Sequence, residues 1–220
     1  RLPFEALKWL AGKPSVLALC PTIGFVHGKS HPDLDDADMR ILFTPGSYME
    51  GKVYVLDDHP GMTCGAAQPR PESFGYVHAT SSDPVDAPIV QPNYLAAETD
   101  QRITLAGLKL VRSLFNSPQL APYFDCETLP GDEVQTDDEL LDFSRQRGNT
   151  GYHLVGTCRM GPENDLHAVV DDELCVRGVK NLRVIDASIM PMLPSANTFA
   201  STIAIAEKGA DLIRGRSRPQ

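Results

Sequence analysis

The chain has 220 residues, 29 of them acidic and 20 basic, for a net charge of −9, and 42% of it is hydrophobic. That length allows a substantial core, as one large domain or as one domain plus part of another. The acid excess excludes nucleic acid as a partner, since neutralising phosphate takes clustered Lys and Arg, and no apolar run approaches the roughly eighteen residues of a membrane span.

Arg1 is not an initiator Met and opens no basic-then-apolar signal pattern, so the sequence is expected to begin inside a longer protein. Residues 2–11 carry Leu2, Phe4, Leu7, Trp9 and Leu10 and predict a short helix, stopped by Gly12 and Pro14. Residues 15–21 are apolar and strand-like. Gly24, Gly28, Lys29 and Ser30 imitate a phosphate-binding loop, but only three residues separate the glycines and a run of acids follows Pro32. Such a loop needs four residues there and a helix after it, and acids would repel phosphate. His27 and His31 would form a metal pair only on a helix, which Gly28 and Pro32 oppose, so a plain loop is expected.

Short strands are predicted at 39–44, 51–56, 62–68 and 74–80, separated by Pro, Gly and Asp clusters and paired most simply as antiparallel neighbours. Alternation at 52–56 and 75–79 fits a sheet with one buried face. Residues 81–92, with Pro84, Pro88 and Pro92, read as a crossing loop. Residues 97–114 then take a helical period, with Ile103, Leu105, Leu108, Leu110 and Val111 as the buried stripe. After a Pro-punctuated connection, Thr136 and Glu139 have the spacing of a capping box, which starts a helix running to Arg147 and ended by Gly148. A strand at 181–186 and a helix at 201–214 complete the pattern. The five cysteines are widely spaced, with no C-x-x-C pair. They are expected to be buried thiols in a reducing, cytoplasmic setting, a single bridge being the alternative.

A series of short motifs crowds the last third of the chain: Tyr152-His153, Gly156-Thr157-Cys158-Arg159-Met160-Gly161, Val169-Val170-Asp171 and Asn181-Leu182-Arg183-Val184. Asp186-Ala187-Ser188, Pro194-Ser195-Ala196-Asn197-Thr198 and Glu207-Lys208 follow. In this order and spacing they resemble the C-terminal end of the glucose–methanol–choline family of FAD-dependent alcohol oxidases and dehydrogenases. The likeness extends back to about residue 74. It implies an α+β fold, with residues 1–147 as part of an antiparallel-sheet substrate-binding domain flanked by helices. Residues 148–220 would carry the catalytic residues and return, as a strand and a helix, to the FAD-binding domain.

Alcohol oxidation by hydride transfer leaves a hydroxyl proton that something must take, and neutral imidazole suits the task. The resemblance assigns that role to His153, with hydride passing to flavin N5; the plain alternative is a core histidine bonded to backbone. Asn197 stands where the family carries a second His or an Asn, and its amide would hold the substrate oxygen. It would also cap the helix that follows. For the cofactor, FAD, the resemblance implies contacts from Asp186, Ala187, Asn197, Thr198 and Phe199, and Asp186 has the alternative of a strand-end cap. Cys158, Arg159 and Met160 read as packing or orienting residues.

The family more often has Gly where Ala196 stands and a small residue or Asn where Phe199 stands, which implies a narrower or more apolar substrate pocket. No G-x-G-x-x-G lies in these residues, so the other half of the FAD site is expected in an N-terminal portion of the same enzyme. The expected partners are a small-molecule alcohol, an electron acceptor (oxygen, a quinone or a dye) and that portion, with no metal. The alternative is a non-catalytic binding domain that has lost its flavin half. A Ser–His–Asp hydrolase ranks behind, for want of a G-x-S-x-G elbow.

Overall fold

Residues 39–44 are mostly apolar, and in the computed structural model they form the central strand of a sheet, with Met39, Ile41 and Thr44 buried. The structure describes residues 2–215 apart from 19, 21, 50, 51, 53 and 54. After helix α1 (Leu2–Leu10), strands β1 (Gly24–Gly28), β2 (Met39–Thr44) and β3 (Thr63–Ala67) form an antiparallel sheet in the order β1-β2-β3. Val26 and Ala66 both face Ile41 in the register. Strands β4 (Tyr76–His78) and β5 (Ile89–Gln91) make a separate antiparallel pair. Helices α2 (Glu98–Phe115), α3 (Asp137–Arg147) and α4 (Phe199–Ile213) complete a mixed helix and antiparallel-sheet fold.

Contacts gather the chain into two compact units, residues 1–68 with 102–147 and residues 69–101 with 148–220. In the first, Ile103, Gly107 and Val111 recur at four-residue spacing on α2 and are buried, as a helical stripe requires. Gly107 is the point of closest approach: a Cβ there would stand 2.7 Å from the Cβ of Ala66 on β3. Arg112 pairs with Glu127 through Nε at 3.1 Å and Nη2 at 2.8 Å and donates to the Val134 carbonyl at 2.7 Å. It thereby ties the long connection between α2 and α3 back to α2. The capping box forms, with Thr136 N–H donating to the Glu139 carboxylate at 2.8 Å and Glu139 N–H to Thr136 Oγ1 at 3.3 Å. The Thr136 backbone N–H, first among several bonds, holds the Glu139 carboxyl below its usual range.

The second unit is built differently. Its core is Val170, Leu174 and Ile189, with Met160, Val184, Ile185 and Ile205 packed against it. The β4–β5 ladder of this unit is exposed, and around the core isolated bridges rather than a sheet join Met160 to Val170, Val170 to Val176 and Cys175 to Arg183. Aspartates close the turns between them: Asp171 Oδ1 accepts from Glu173 and Cys175 N–H, and Asp165 Oδ1 from His167 N–H. Asp100, 1% exposed in the first turn of α2, accepts from Glu72 N–H at 2.8 Å and Ser73 N–H at 2.9 Å. The Ser73 hydroxyl in turn accepts from Ala97 N–H at 3.0 Å.

Several elements differ from the expectation. Residues 24–28 form a strand rather than a loop, because Phe25 and Val26 find partners in β2. Residues 16–18 form a 3-10 turn, closed by Ala18 N–H donating to the Ser15 carbonyl at 3.1 Å, rather than a strand, and Ser15 Oγ donates to the Glu5 carbonyl at 2.9 Å. β5 lies in the Pro-rich stretch expected to be a crossing loop, and every residue of β4 and β5 is exposed, so that pair has no buried face. The strand expected at 181–186 shrinks to one bridge at Arg183, since Asn181 takes φ 61° and breaks the extended run. Half of the strand expected at 51–56 lies outside the described residues; Leu56 bridges Tyr48. The thiols are not buried: Cys20 and Cys126 are exposed and Cys64, Cys158 and Cys175 half-buried, because they sit in turns or at the sheet's margin.

Candidate active site

Residues 149–153 make a tight turn from small polar side chains. Thr150 N–H donates to Asn149 Oδ1 at 2.8 Å, and Tyr152 N–H to Thr150 Oγ1 at 3.1 Å. Tyr152 then takes φ 57°, a left-handed conformation that costs an L-residue roughly 1–2 kcal/mol. The chain is bent sharply just before His153.

His153 is half-buried, and its Nδ1 lies 3.0 Å from the hydroxyl of Thr198. Among the described residues its other ring nitrogen makes no hydrogen bond. Thr198 sits at the N-cap of α4 and is 7% exposed, yet its side chain makes no cap bond. The helix start is therefore left with N–H groups and a partial positive charge facing outward, flanked by the exposed Asn197 and Phe199. Backbone N–H groups beside a carboxamide suit an anion or an electron-rich, hydrogen-bond-accepting ring.

Two backbone bonds set the middle motifs against each other. Cys158 N–H donates to the Ser188 carbonyl at 3.0 Å and Met160 N–H to the Ile189 carbonyl at 2.7 Å. Asp186 caps the 3-10 turn Ala187–Ile189, its Oδ1 accepting from Ser188 N–H at 2.8 Å. Arg159 is held by both oxygens of Asp165, at 2.9 and 2.7 Å. The Asp165 carboxyl is lowered first by the His167 backbone N–H and further by Arg159. Arg159 is thus spent on the turn.

A concavity of about 580 Å³ opens beside this turn, lined by Val90, Pro92, Tyr94, Thr150, Tyr152 and Leu154. Tyr94 donates its hydroxyl to Thr150 Oγ1 at 2.7 Å. Of the residues singled out in the sequence, the structure joins His153 to Thr198 and the 158–160 segment to 188–189. Asn197 and Phe199 stand on either side of Thr198, and Asp186 and Ala187 lead into the turn that Cys158 and Met160 bond. Tyr94 and Thr150 carry no sequence signal, because 56 positions separate them and neither lies in a periodic element.

A family model for GMC oxidoreductase, C-terminal domain, matches residues 71–206. Over 190 residues the chain is 42% identical to alcohol dehydrogenase (acceptor) of Pseudomonas putida, covering 86% of this chain and 34% of that protein. It is 40% identical over 196 residues to mitochondrial choline dehydrogenase of Homo sapiens, covering 89% and 32%. Among solved structures, pyridoxine 4-oxidase from Mesorbium loti superimposes with a TM-score of 0.79 at 25% identity, covering 90% of this chain and 39% of that one. The chain spans about a third of the length of the curated relatives it matches. Among the described residues no helix is long and apolar enough to cross a membrane.

Proposed function

This chain belongs to the GMC oxidoreductase family, and from that premise we propose that it serves the FAD-dependent oxidation of a primary alcohol to an aldehyde, with His153 as the base. The observation that carries the reading is the 3.0 Å bond between His153 Nδ1 and Thr198, which sets the imidazole beside the start of α4 and the residue after Asn197. A neutral imidazole accepts the hydroxyl proton at Nε2. The Asn197 carboxamide donates to the substrate oxygen and stabilises the negative charge that grows there.

FAD would be held by the N–H groups at the head of α4, by Asn197, Thr198 and Phe199, and by Asp186 and Ala187 along its chain; when bound, it supplies the acceptor for the carbon-bound hydride. The fit is supported by a helix start with no side-chain cap. The concavity beside Tyr94 and Tyr152 would take the organic part of the alcohol, and choline and other primary alcohols are the class to try. Residues 148–220 carry the catalytic groups in this reading, and residues 1–147 contribute to the substrate domain. Because the relatives are about three times as long, the activity is proposed for the whole enzyme, whose N-terminal portion would complete the FAD site. Oxygen, a quinone or a dye would take the electrons onward.

The test is purification of the full-length enzyme, its flavin absorbance, and an alcohol panel with oxygen or a dye as acceptor. Stoichiometric flavin and aldehyde formation are expected. A colourless protein that oxidises no alcohol would point instead to a binding domain.

A further inference from the structure

A base that takes up a proton must be held equally well before and after, and that requirement singles out the partner of His153. In the neutral ring one nitrogen donates and the other accepts; in the cation both donate. Whatever touches Nδ1 must therefore be able to accept once the cation forms. That partner is the Thr198 hydroxyl, at 3.0 Å.

Three features separate this hydroxyl from an ordinary helix cap. A capping Thr is extended and bonds the second or third N–H of its helix, whereas Thr198 has φ −73° and ψ −9° and bonds none of them. It is 7% exposed, so its oxygen is largely removed from water. Besides the usual first helical bond from Thr202 N–H at 2.9 Å, its own carbonyl accepts a second bond from Thr202 Oγ1 at 2.8 Å, which fixes the backbone carrying the hydroxyl. The β-branched side chain then has little rotamer freedom.

We propose that Thr198 is a positioning residue for the base: its hydroxyl oxygen accepts from His153 Nδ1–H in both the neutral and the cationic ring, leaving the lone pair on Nε2. The proposal rests on the reading of His153 as base. One proton moves, from the alcohol oxygen to Nε2, and the Nδ1 proton stays where it is. Without the hydroxyl the ring is free to place its proton on Nε2, where it takes up nothing, and the cation has an unpaired donor.

The test uses the FAD-loaded full-length enzyme and a primary alcohol it oxidises. Thr198→Val keeps the shape and removes the acceptor, and kcat is expected to fall about ten- to hundredfold, the scale of a lost hydrogen bond to a charged group. KM should stay within about twofold, with kcat expressed per bound FAD. Thr198→Ser should restore most of kcat, and Thr198→Val combined with His153→Ala should be no slower than His153→Ala alone, because the hydroxyl acts only through the ring. Nitrogen NMR of the histidine-labelled wild-type enzyme, with His153 assigned by its absence in His153→Asn, should show Nδ1 protonated and Nε2 bare. This readout stands even where a Thr198 variant fails to fold. Nδ1 bare with Nε2 protonated overturns the proposal, as does wild-type kcat in Thr198→Val beside a crippled His153→Ala. Wild-type turnover in His153→Ala would instead remove the base reading, and this proposal with it.

Discussion

The two compact units hold their chains with different bonds. Residues 1–68 and 102–147 use a three-stranded sheet, helices α1 and α3 with most of α2, and buried aliphatic side chains such as Ile41 and Leu140. Residues 69–101 and 148–220 close turn after turn with Asp, Ser and Thr side chains around a small core of Val170, Leu174 and Ile189. Among the described residues, all five non-glycine positions in the left-handed region, Asn93, Leu95, Tyr152, Leu174 and Asn181, fall in the second unit. Repeating backbone bonds give a frame but fix side chains at set intervals. Aiming His153 at Thr198 takes irregular backbone, and the strain it carries sits beside the proposed chemistry.

The sharpest way to break this contrast is at the site. His153→Ala in the full-length enzyme should lower turnover by about a hundredfold or more with FAD still bound, as read by steady-state kinetics and flavin absorbance. Ile41→Ala, at a residue 1% exposed, should do the opposite. It is expected to cost about 2–5 kcal/mol of stability by chemical denaturation while turnover per folded molecule is kept. If the Ile41 variant loses turnover as severely as the His153 variant, the division of labour is wrong.

Asp100→Ala strips the Glu72 and Ser73 N–H groups of their acceptor and should cost about 1–3 kcal/mol, with faster hydrogen exchange confined to those amides and their neighbours. Gly209→Ala is expected to cost about 1 kcal/mol or more, since overpacking outweighs the gain in helix propensity. Its Cβ would overlap Ile185 Cγ2, and a thermal scan reads the loss.

The smallest effect is acid sensitivity, and both units should show it. Asp165 is held below its ordinary 3.8 first by the His167 N–H, and Glu139 below 4.5 first by the Thr136 N–H. A carboxyl lowered on folding contributes stability that is whole above its ordinary pKa and is lost as pH falls through the lowered folded value. Stability should therefore decline as pH drops below those two ordinary values. Asp165→Asn should flatten that acid limb for the turn-built unit and Glu139→Gln for α3, both by small amounts because each carboxylate keeps contact with water.

What the sequence discloses follows the same divide. The Ile103–Val111 stripe, the Thr136–Glu139 capping box and the apolar run at 39–44 between turn residues are local, and each predicts its element to within a residue or two. β1 escapes notice because Gly24–Gly28 is strand only by virtue of β2, and β5 because three prolines disguise it. At the site, the linked motifs put His153, Asn197 and Asp186 in one reading, yet no local pattern says that the Thr198 hydroxyl meets the imidazole ring. That contact joins positions forty-five apart. The cap offered as the alternative for Asp186 does form, on the 3-10 turn that follows it. Cysteine composition points to buried thiols, but Cys20 and Cys126 fall in irregular segments and stay exposed.

Ser73 and Ala97 are fastened to each other and, through Asp100, to the first turn of α2, so the excursion between them is closed at its neck. Lengthening a closed loop adds little entropic cost, and this one carries Val90, Pro92 and Tyr94 to the concavity. The segment is thus an exchangeable cassette: grafting it between relatives should retune which alcohols are accepted while leaving the scaffold's folding untouched.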